Sequence, residues 1–320
     1  MSDSTLKVRV ARKSAEALDI VSLELVAVDG TALPPFSAGS HVDIHLPNGI
    51  TRQYSLCNDP AESHRYLLCV LRDPASRGGS QAVHELVKEG DELDISAPKN
   101  HFALAREAHH SLLLAGGIGV TPILCMAERL AATSAGFEMH YCSRAPERTA
   151  FRERIAGSTF AQRVRFHFDS EGPEQRMDLD GLLANATSET HLYVCGPKGF
   201  MDAVLAAARA AGWPEERLHY EFFAGAAPTG DGQAFEVRLA SSGRVVAVPA
   251  GQSVTAALAA AGVEIPMSCE QGVCGTCLTR VLDGQPDHKD MYLTPEEQAR
   301  NDQFLPCCSR SKSALLVLDL

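Results

Sequence analysis

Cys269-Glu-Gln-Gly-Val-Cys274-Gly-Thr-Cys277, answered much later by Cys307, decides what kind of molecule this sequence encodes. The spacing C-x4-C-x2-C with one distant fourth cysteine is that of a plant-type [2Fe-2S] centre. Three thiolates from one short loop can wrap a small iron–sulfur rhomb only where small residues let the backbone bend, and Gly272, Gly275 and Thr276 stand between the ligands. A structural zinc site is the alternative. Such sites usually pair their ligands as two short units, and a lone fourth cysteine breaks that pattern. The expected metal ligands are Cys269, Cys274, Cys277 and Cys307, with Cys308 as a competitor for the fourth place, and the expected chemistry is electron transfer.

The flanks support this reading. Ser253 is a candidate N-cap and Gly262 a candidate C′ residue around the apolar run Val254–Ala261, which predicts one short helix. Before it, Phe235-Glu-Val-Arg-Leu and Arg244-Val-Val-Ala-Val read as a hairpin turned at Ser242-Gly243, and Leu315-Leu-Val-Leu as a closing strand. Two strands, a helix, a cysteine loop and a last strand resemble the β-grasp of plant-type ferredoxins.

That module accounts for less than a third of the 320 residues, so further domains must precede it. Hydrophobic content of 45% allows proper cores throughout. A net charge of −11 argues against nucleic acid or an anionic membrane as partner. Met1–Val10 is polar, with no apolar segment of a leader, and ten cysteines then read as reduced thiols of a cytoplasmic protein. Ser111–Ala127 carries no charge, but Gly116, Gly117, Gly119 and Pro122 in its middle suit a strand, a turn and a helix better than a membrane span.

Ser111-Leu-Leu-Leu-Ala reads as a buried parallel strand, Gly116-Gly-Ile-Gly-Val as a backbone loop, and Thr121-Pro122 as N-cap and N1 of a helix. Glycines permit close backbone approach, and a helix start offers unpaired N–H groups to a pyrophosphate. Strands at Phe137–Cys142, Arg163–Phe168 and His191–Cys195, with helices near Arg148–Ile155 and from Gly199 to Ala211, predict an α/β domain with a parallel sheet and ligands at the strands' C-terminal ends. Cys195-Gly196-Pro197 lies at such an end; by spacing alone it is equally a buried strand terminus and a turn.

The first hundred residues read as all-β. Val21-Ser-Leu-Glu-Leu and Val42-Asp-Ile-His-Leu alternate, and Pro47-Asn48-Gly49 supplies turn chemistry before Ile50-Thr-Arg-Gln-Tyr-Ser-Leu. Period two puts Arg52 and Tyr54 on one face and Ser55 on the other. Arg77-Gly78-Gly79-Ser80 begins a helix running towards Leu86, a second helix-start anion site. Arg52 and Tyr54, a cation and an aromatic ring on one face, can serve a flavin phosphate and an isoalloxazine face, and the expected fold is multidomain: an antiparallel flavin-binding β-barrel over 1–104, a nucleotide-binding α/β domain over 105–225, a linker over 226–234 and an α+β ferredoxin domain over 235–320.

In this order, Arg52-Gln-Tyr-Ser-Leu-Cys-Asn58, Arg77-Gly-Gly-Ser80, Gly116–Pro122, Cys195–Pro197, Glu221-Phe222-Phe223 and the cysteine loop resemble one family along nearly the whole chain: the phthalate dioxygenase reductases, vanillate demethylase reductases included. The resemblance implies FMN in the barrel, NADH as donor and a separate Rieske non-haem iron oxygenase as acceptor, met transiently by a monomer. It implies that Arg52, Arg77, Gly78, Gly79 and Ser80 hold the FMN phosphate, that Tyr54 and Ser55 contact the isoalloxazine and that Phe223 stacks near it. Gly116, Gly117, Gly119, Thr121 and Pro122 would receive the pyrophosphate, Cys195, Gly196 and Pro197 would lie beside the nicotinamide, and Arg144 would meet the adenosine ribose. Ser55, Cys195 and Phe223 are thus expected where hydride is transferred. Bland roles stand beside these: barrel packing for Tyr54 and Phe223, helix capping for Ser80, a surface ion pair for Arg144. The family's Cys-x-Ser-Arg ending matches Cys307-Cys308-Ser309-Arg310 with Cys307 as ligand. Ser143-Arg144 is also readable as a 2′-phosphate site, against the NADH the family implies. NADH yields two electrons together and a [2Fe-2S] centre takes one, so a flavin between them acts as converter. Plant-type clusters near ~−400 mV and Rieske centres at roughly −150 to +300 mV make outward transfer downhill.

Overall fold

The computed structural model describes residues 5–223 and 233–320, and the chain divides into two compact units, Met1–Glu221 and Phe222–Leu320. The linker expected over 226–234 falls mostly on residues outside the described ones.

The first unit opens with strands β1 (Thr5–Ala17), β2 (Ile20–Ala27), β3 (Ser40–His45), β4 (Thr51–Ser55) and β5 (Tyr66–Leu71), helix α1 (Gly79–Glu85), and strands β6 (Glu92–Ser96) and β7 (Lys99–Asn100). The strands are antiparallel in the order β4-β3-β6-β1-β2-β5, with β7 on β3. The sheet curls until its ends meet, through the bridge Leu56–Leu68 and the bond from the Cys57 N–H to the Leu67 carbonyl at 2.9 Å. Curling follows from alternation: Leu23 and Leu25 of β2, Val42 and Ile44 of β3, and Leu93 and Ile95 of β6 all point to one interior. Each such side chain contributes about 1.5–3 kcal/mol by leaving water.

A parallel layer follows: β8 (His110–Gly116), α2 (Val120–Ala132), β9 (Gly136–Ser143), α3 (Arg152–Ala156), β10 (Val164–Phe168), α4 (Leu179–Asn185), β11 (Thr190–Cys195), α5 (Lys198–Ala210) and β12 (Leu218–Glu221). Its order is β10-β9-β8-β11-β12. The central strands β8 and β11 are covered on both faces, which is why Ser111–Ala115 shows no alternation. The chain builds outward from β8 to β10, then returns to β11 on the other side. The crevice at the C-terminal ends of β8 and β11 is therefore the switch point where such sheets bind ligands.

Two local expectations are corrected here. Helix α2 begins at Val120 with Gly119 as N-cap, and the Thr121 hydroxyl donates to the Ile118 carbonyl at 3.1 Å, so Thr121-Pro122 lie inside the first turn rather than at N-cap and N1. Proline is tolerated there because first-turn N–H groups have no intrahelical partner. The helix expected near Arg148–Ile155 is broken by Phe151 at φ 62° into a 3-10 turn, Pro146–Arg148, and the short α3.

The second unit contains β13 (Phe235–Leu239), β14 (Val245–Val248), α6 (Val254–Ala260), β15 (Thr279–Asp283), β16 (Pro286–Asp287), α7 (Pro295–Arg300), β17 (Gln303–Phe304), β18 (Arg310–Ser311) and β19 (Leu315–Leu318). The main sheet runs β14-β13-β19-β15-β17, with β13 and β19 parallel. Ser253 caps α6 by accepting the Ala256 N–H at 3.2 Å, and Gly262 follows it at φ 77°. Val254 and Leu258 of α6 bury against Val237, Val248 and Leu316 of the sheet.

Candidate functional site

The first cluster of expected residues forms where β4 meets the start of α1. Arg52 lies along Gly79 so closely that a Cβ there would stand 2.6 Å from its Cγ, and its guanidinium donates to the Arg77 carbonyl at 3.4 Å. Gly78 caps α1 at φ 88°, a conformation that favours glycine, and Asn48 Nδ2 donates to its carbonyl at 3.1 Å. Ser80 does not cap the helix; its Oγ accepts the Asp73 N–H at 3.2 Å and ties the approach loop to α1. Arg52 and the glycine backbone thus stand together at the start of α1, an arrangement that could hold a phosphate. Tyr54 packs on the barrel core, and burial pushes its phenol up to about 12, so it stays neutral.

Ser55 lies at the opposite end of β4, buried, with Oγ donating to Glu221 Oε2 at 3.5 Å. Its register partner His41 has Nδ1 3.9 Å from the other oxygen of Glu221. Glu221 in turn pairs in register with Cys195 across β11 and β12. Burial raises the Glu221 carboxyl to about 8, with the Ser55 hydroxyl acting against it, and burial together with nearby His101 lowers His41 to about 4. At neutral pH the site therefore holds a protonated carboxyl and a neutral imidazole. Cys195 is held as a thiol, first by burial and then by Glu221. Glu221 and His41 were absent from the expected site residues. The Glu221-Phe222-Phe223 run was the available signal for the first; nothing in the sequence singles out the second.

The two backbone motifs of the parallel layer meet at its switch point. A Cβ on Gly119 would stand 2.2 Å from the Cys195 carbonyl oxygen and 2.6 Å from the Gly196 nitrogen. A Cβ on Gly196 would meet the Gly116 Cα at 2.9 Å, and one on Gly116 would strike Phe200 and Pro197. Gly117 instead needs its freedom for φ 51°. Arg144 is exposed just beyond β9. Phe223 is half-buried and belongs to the second unit.

In that second unit Cys269, Cys277 and Cys307 are buried and Cys274 half-buried. Cys274 neighbours Cys269, while Cys307 neighbours both Cys277 and Cys308, and these neighbours favour Cys274 and Cys307 as thiolates. Cys274 is lowered to about 6 by Cys269 and then Thr276, and Cys307 to about 4 by Cys277 and then Cys308, while Cys269 and Cys277 are pushed up. Among the described residues no three His, Cys, Asp or Glu side chains surround one point. A plant-type [2Fe-2S] centre takes four cysteine thiolates, and Cys269, Cys274, Cys277 and Cys307 supply that number. Gly272 and Gly275 stand at φ 71° and 73°, and the Cys308 sulfur would lie 2.3 Å from a Cβ on Gly272.

Residues 237–312 match the 2Fe-2S iron-sulfur cluster binding domain, and residues 96–218 match the N-terminal domain of dimethylamine monooxygenase subunit DmmA-like proteins. The chain is 60% identical over 315 residues to a vanillate O-demethylase oxidoreductase of Pseudomonas putida, covering 97% of this chain and 98% of that one. It is 40% identical over 321 residues to the phthalate dioxygenase reductase of Burkholderia cepacia, covering 99% and 98%. A solved phthalate dioxygenase reductase superposes with a TM-score of 0.82 at 39% identity, covering 99% and 98%. On these matches along nearly the full length, the chain belongs to the phthalate dioxygenase reductase family and is an electron-transfer oxidoreductase with a [2Fe-2S] domain, a flavin and NADH.

Proposed function

We propose that this protein is the FMN-containing, NADH-oxidising reductase of a two-component Rieske oxygenase acting on aromatic substrates, with a vanillate-type O-demethylase as its partner. The observation that carries the reading is the set of four cysteines, Cys269, Cys274, Cys277 and Cys307, within the segment that matches a 2Fe-2S cluster binding domain, in one chain with a flavin-reductase fold. The 60% likeness to a vanillate O-demethylase oxidoreductase favours the O-demethylase class. A flavin held in the barrel would supply the conversion from a two-electron hydride donor to single-electron transfer.

The chain's own residues supply position and charge. Arg52, Arg77 and the Gly78–Ser80 turn hold the flavin phosphate; Tyr54 and Ser55, successive residues of β4, contact the ring. Gly116, Gly117 and Gly119, with Thr121 and Pro122 in the turn that follows, take the pyrophosphate, and Arg144 takes the ribose. Cys195–Pro197 bed the nicotinamide where the Gly119 contact leaves no room for a side chain. Ser55 and Glu221 place a hydroxyl and a protonated carboxyl beside that bed, excluding net charge from the place where hydride moves.

Reconstitution tests the reading. The purified protein should release a flavin that chromatographs as FMN, contain two irons per chain, and drive demethylation of vanillate by a purified vanillate O-demethylase oxygenase component, with kcat/KM for NADH above that for NADPH. FAD, zinc in place of iron, or equal use of NADPH would each remove the corresponding part. Failure to support any Rieske oxygenase while other acceptors are reduced would remove the partner.

A further inference from the structure

Asp290 lies outside every motif recognised in the sequence, yet its side chain is 0% exposed. A buried carboxylate is costly unless it is hydrogen-bonded and paired. Its bonds lead to both ligand-bearing segments. Oδ1 accepts from the Ser309 hydroxyl at 3.1 Å, two residues after Cys307, and that hydroxyl accepts the Lys289 N–H at 3.1 Å. On the other side, Asp290 Cα and Cβ would stand 3.0 and 3.1 Å from a Cβ on Gly272, the midpoint of the Cys269–Cys274 loop, and the next N–H, of Met291, donates to the Gly272 carbonyl at 3.0 Å. Oδ2 accepts the Leu293 N–H at 3.0 Å, and His288 Nδ1 lies 3.3 Å from Oδ1.

Among the described residues no lysine or arginine is ion-paired with it. The Lys289 ammonium turns to Asp287 at 3.1 Å, and the buried Arg310 guanidinium donates to the carbonyls of Gln252, Gln233 and Pro249. Hydrogen bonds hold the carboxylate in place, and the His288 ring is the one ionisable base against it among the described residues. Iron–sulfur potentials depend on net charge and hydrogen bonding around the cluster. Reduction adds a negative charge, so a fixed carboxylate close to the ligand loop opposes it.

Resting on the iron–sulfur reading above, we propose that Asp290 is a positioning residue of the cluster: it fastens the Gly272 loop to the Cys307–Ser309 segment, and its buried charge keeps the cluster's midpoint potential low. The intact holoprotein tests this through an EPR-monitored redox titration and the rate at which the cluster's visible absorbance is lost to a chelator. Asp290→Asn should raise the midpoint potential and hasten cluster loss severalfold. A loaded Asp290→Asn cluster with wild-type potential and wild-type lifetime overturns the proposal. Should Asp290→Asn take up no iron, Ser309→Ala decides, since it removes the Oγ–Oδ1 bond and leaves the charge. Faster cluster loss at the wild-type potential supports the proposal; a wild-type lifetime overturns it. Absence of a [2Fe-2S] signal from the wild-type protein would instead overturn the reductase reading itself.

Discussion

Glu221 shows what one side chain contributes when burial governs it. Its side chain stands 17% exposed, its carboxyl is raised from an ordinary 4.5 to about 8 by burial, and among the described residues it meets Ser55 and His41 at the distances given. Between those two pH values the unfolded chain has released this proton and the folded chain keeps it. The native state binds more protons, so this group's contribution to stability falls as pH rises through that window, by up to about 1.4 kcal/mol per pH unit. Glutamine keeps the shape and removes the ionisation. Thermal unfolding midpoints of Glu221→Gln and wild type should therefore differ more in the variant's favour at pH 9 than at pH 6. A difference that does not change with pH would contradict the buried, protonated carboxyl.

At the scale of elements, the close approach of two turns carries the nucleotide site. Gly119→Ala places a methyl 2.2 Å from a carbonyl oxygen that cannot move without shifting β11, whereas Gly117→Ala has open space and faces only its φ of 51°. Overpacking costs about 1–3 kcal/mol or more, and a displaced ligand bed can cost about a hundredfold in rate. Gly119→Ala should lower kcat/KM for NADH with ferricyanide by at least about tenfold, and Gly117→Ala by clearly less. Equal effects would show that backbone conformation, and not the contact with Cys195, sets the site. Much at this scale was legible beforehand. The Ser253 cap, the Gly243 turn, the glycine loop after β8 and the cysteine spacing are local signals, each read within a few residues. Glu221 with Ser55 and His41 was not, because β3, β4 and β12 come together only when barrel and parallel layer fold. Asp290 was hidden for the same reason. The stacked pairs His140–His167 and His191–His219 depend on parallel register, which no spacing in the chain reveals. Helix α3 failed as a prediction because the left-handed Phe151 interrupts a run that composition alone favours as helix.

For the whole molecule, the two compact units divide the work at Glu221–Phe222. Each has its own buried core, one centred on residues such as Leu25 and Ile95 and the other on Val237 and Leu316, so each should fold without the other. Among the described residues no helix is long and apolar enough to cross a membrane. The central claim is that electrons enter through the first unit and leave through the four cysteines of the second. The most direct measurement compares the intact chain with a fragment ending at Phe223, using NADH as donor and either ferricyanide or a purified Rieske oxygenase as acceptor. The fragment should retain flavin and reduce ferricyanide at the rate of the intact chain, yet fail to sustain oxygenase turnover. A fragment that drives the oxygenase as fast as the intact chain would contradict the account, because Cys269, Cys274, Cys277 and Cys307 could not then be the way out.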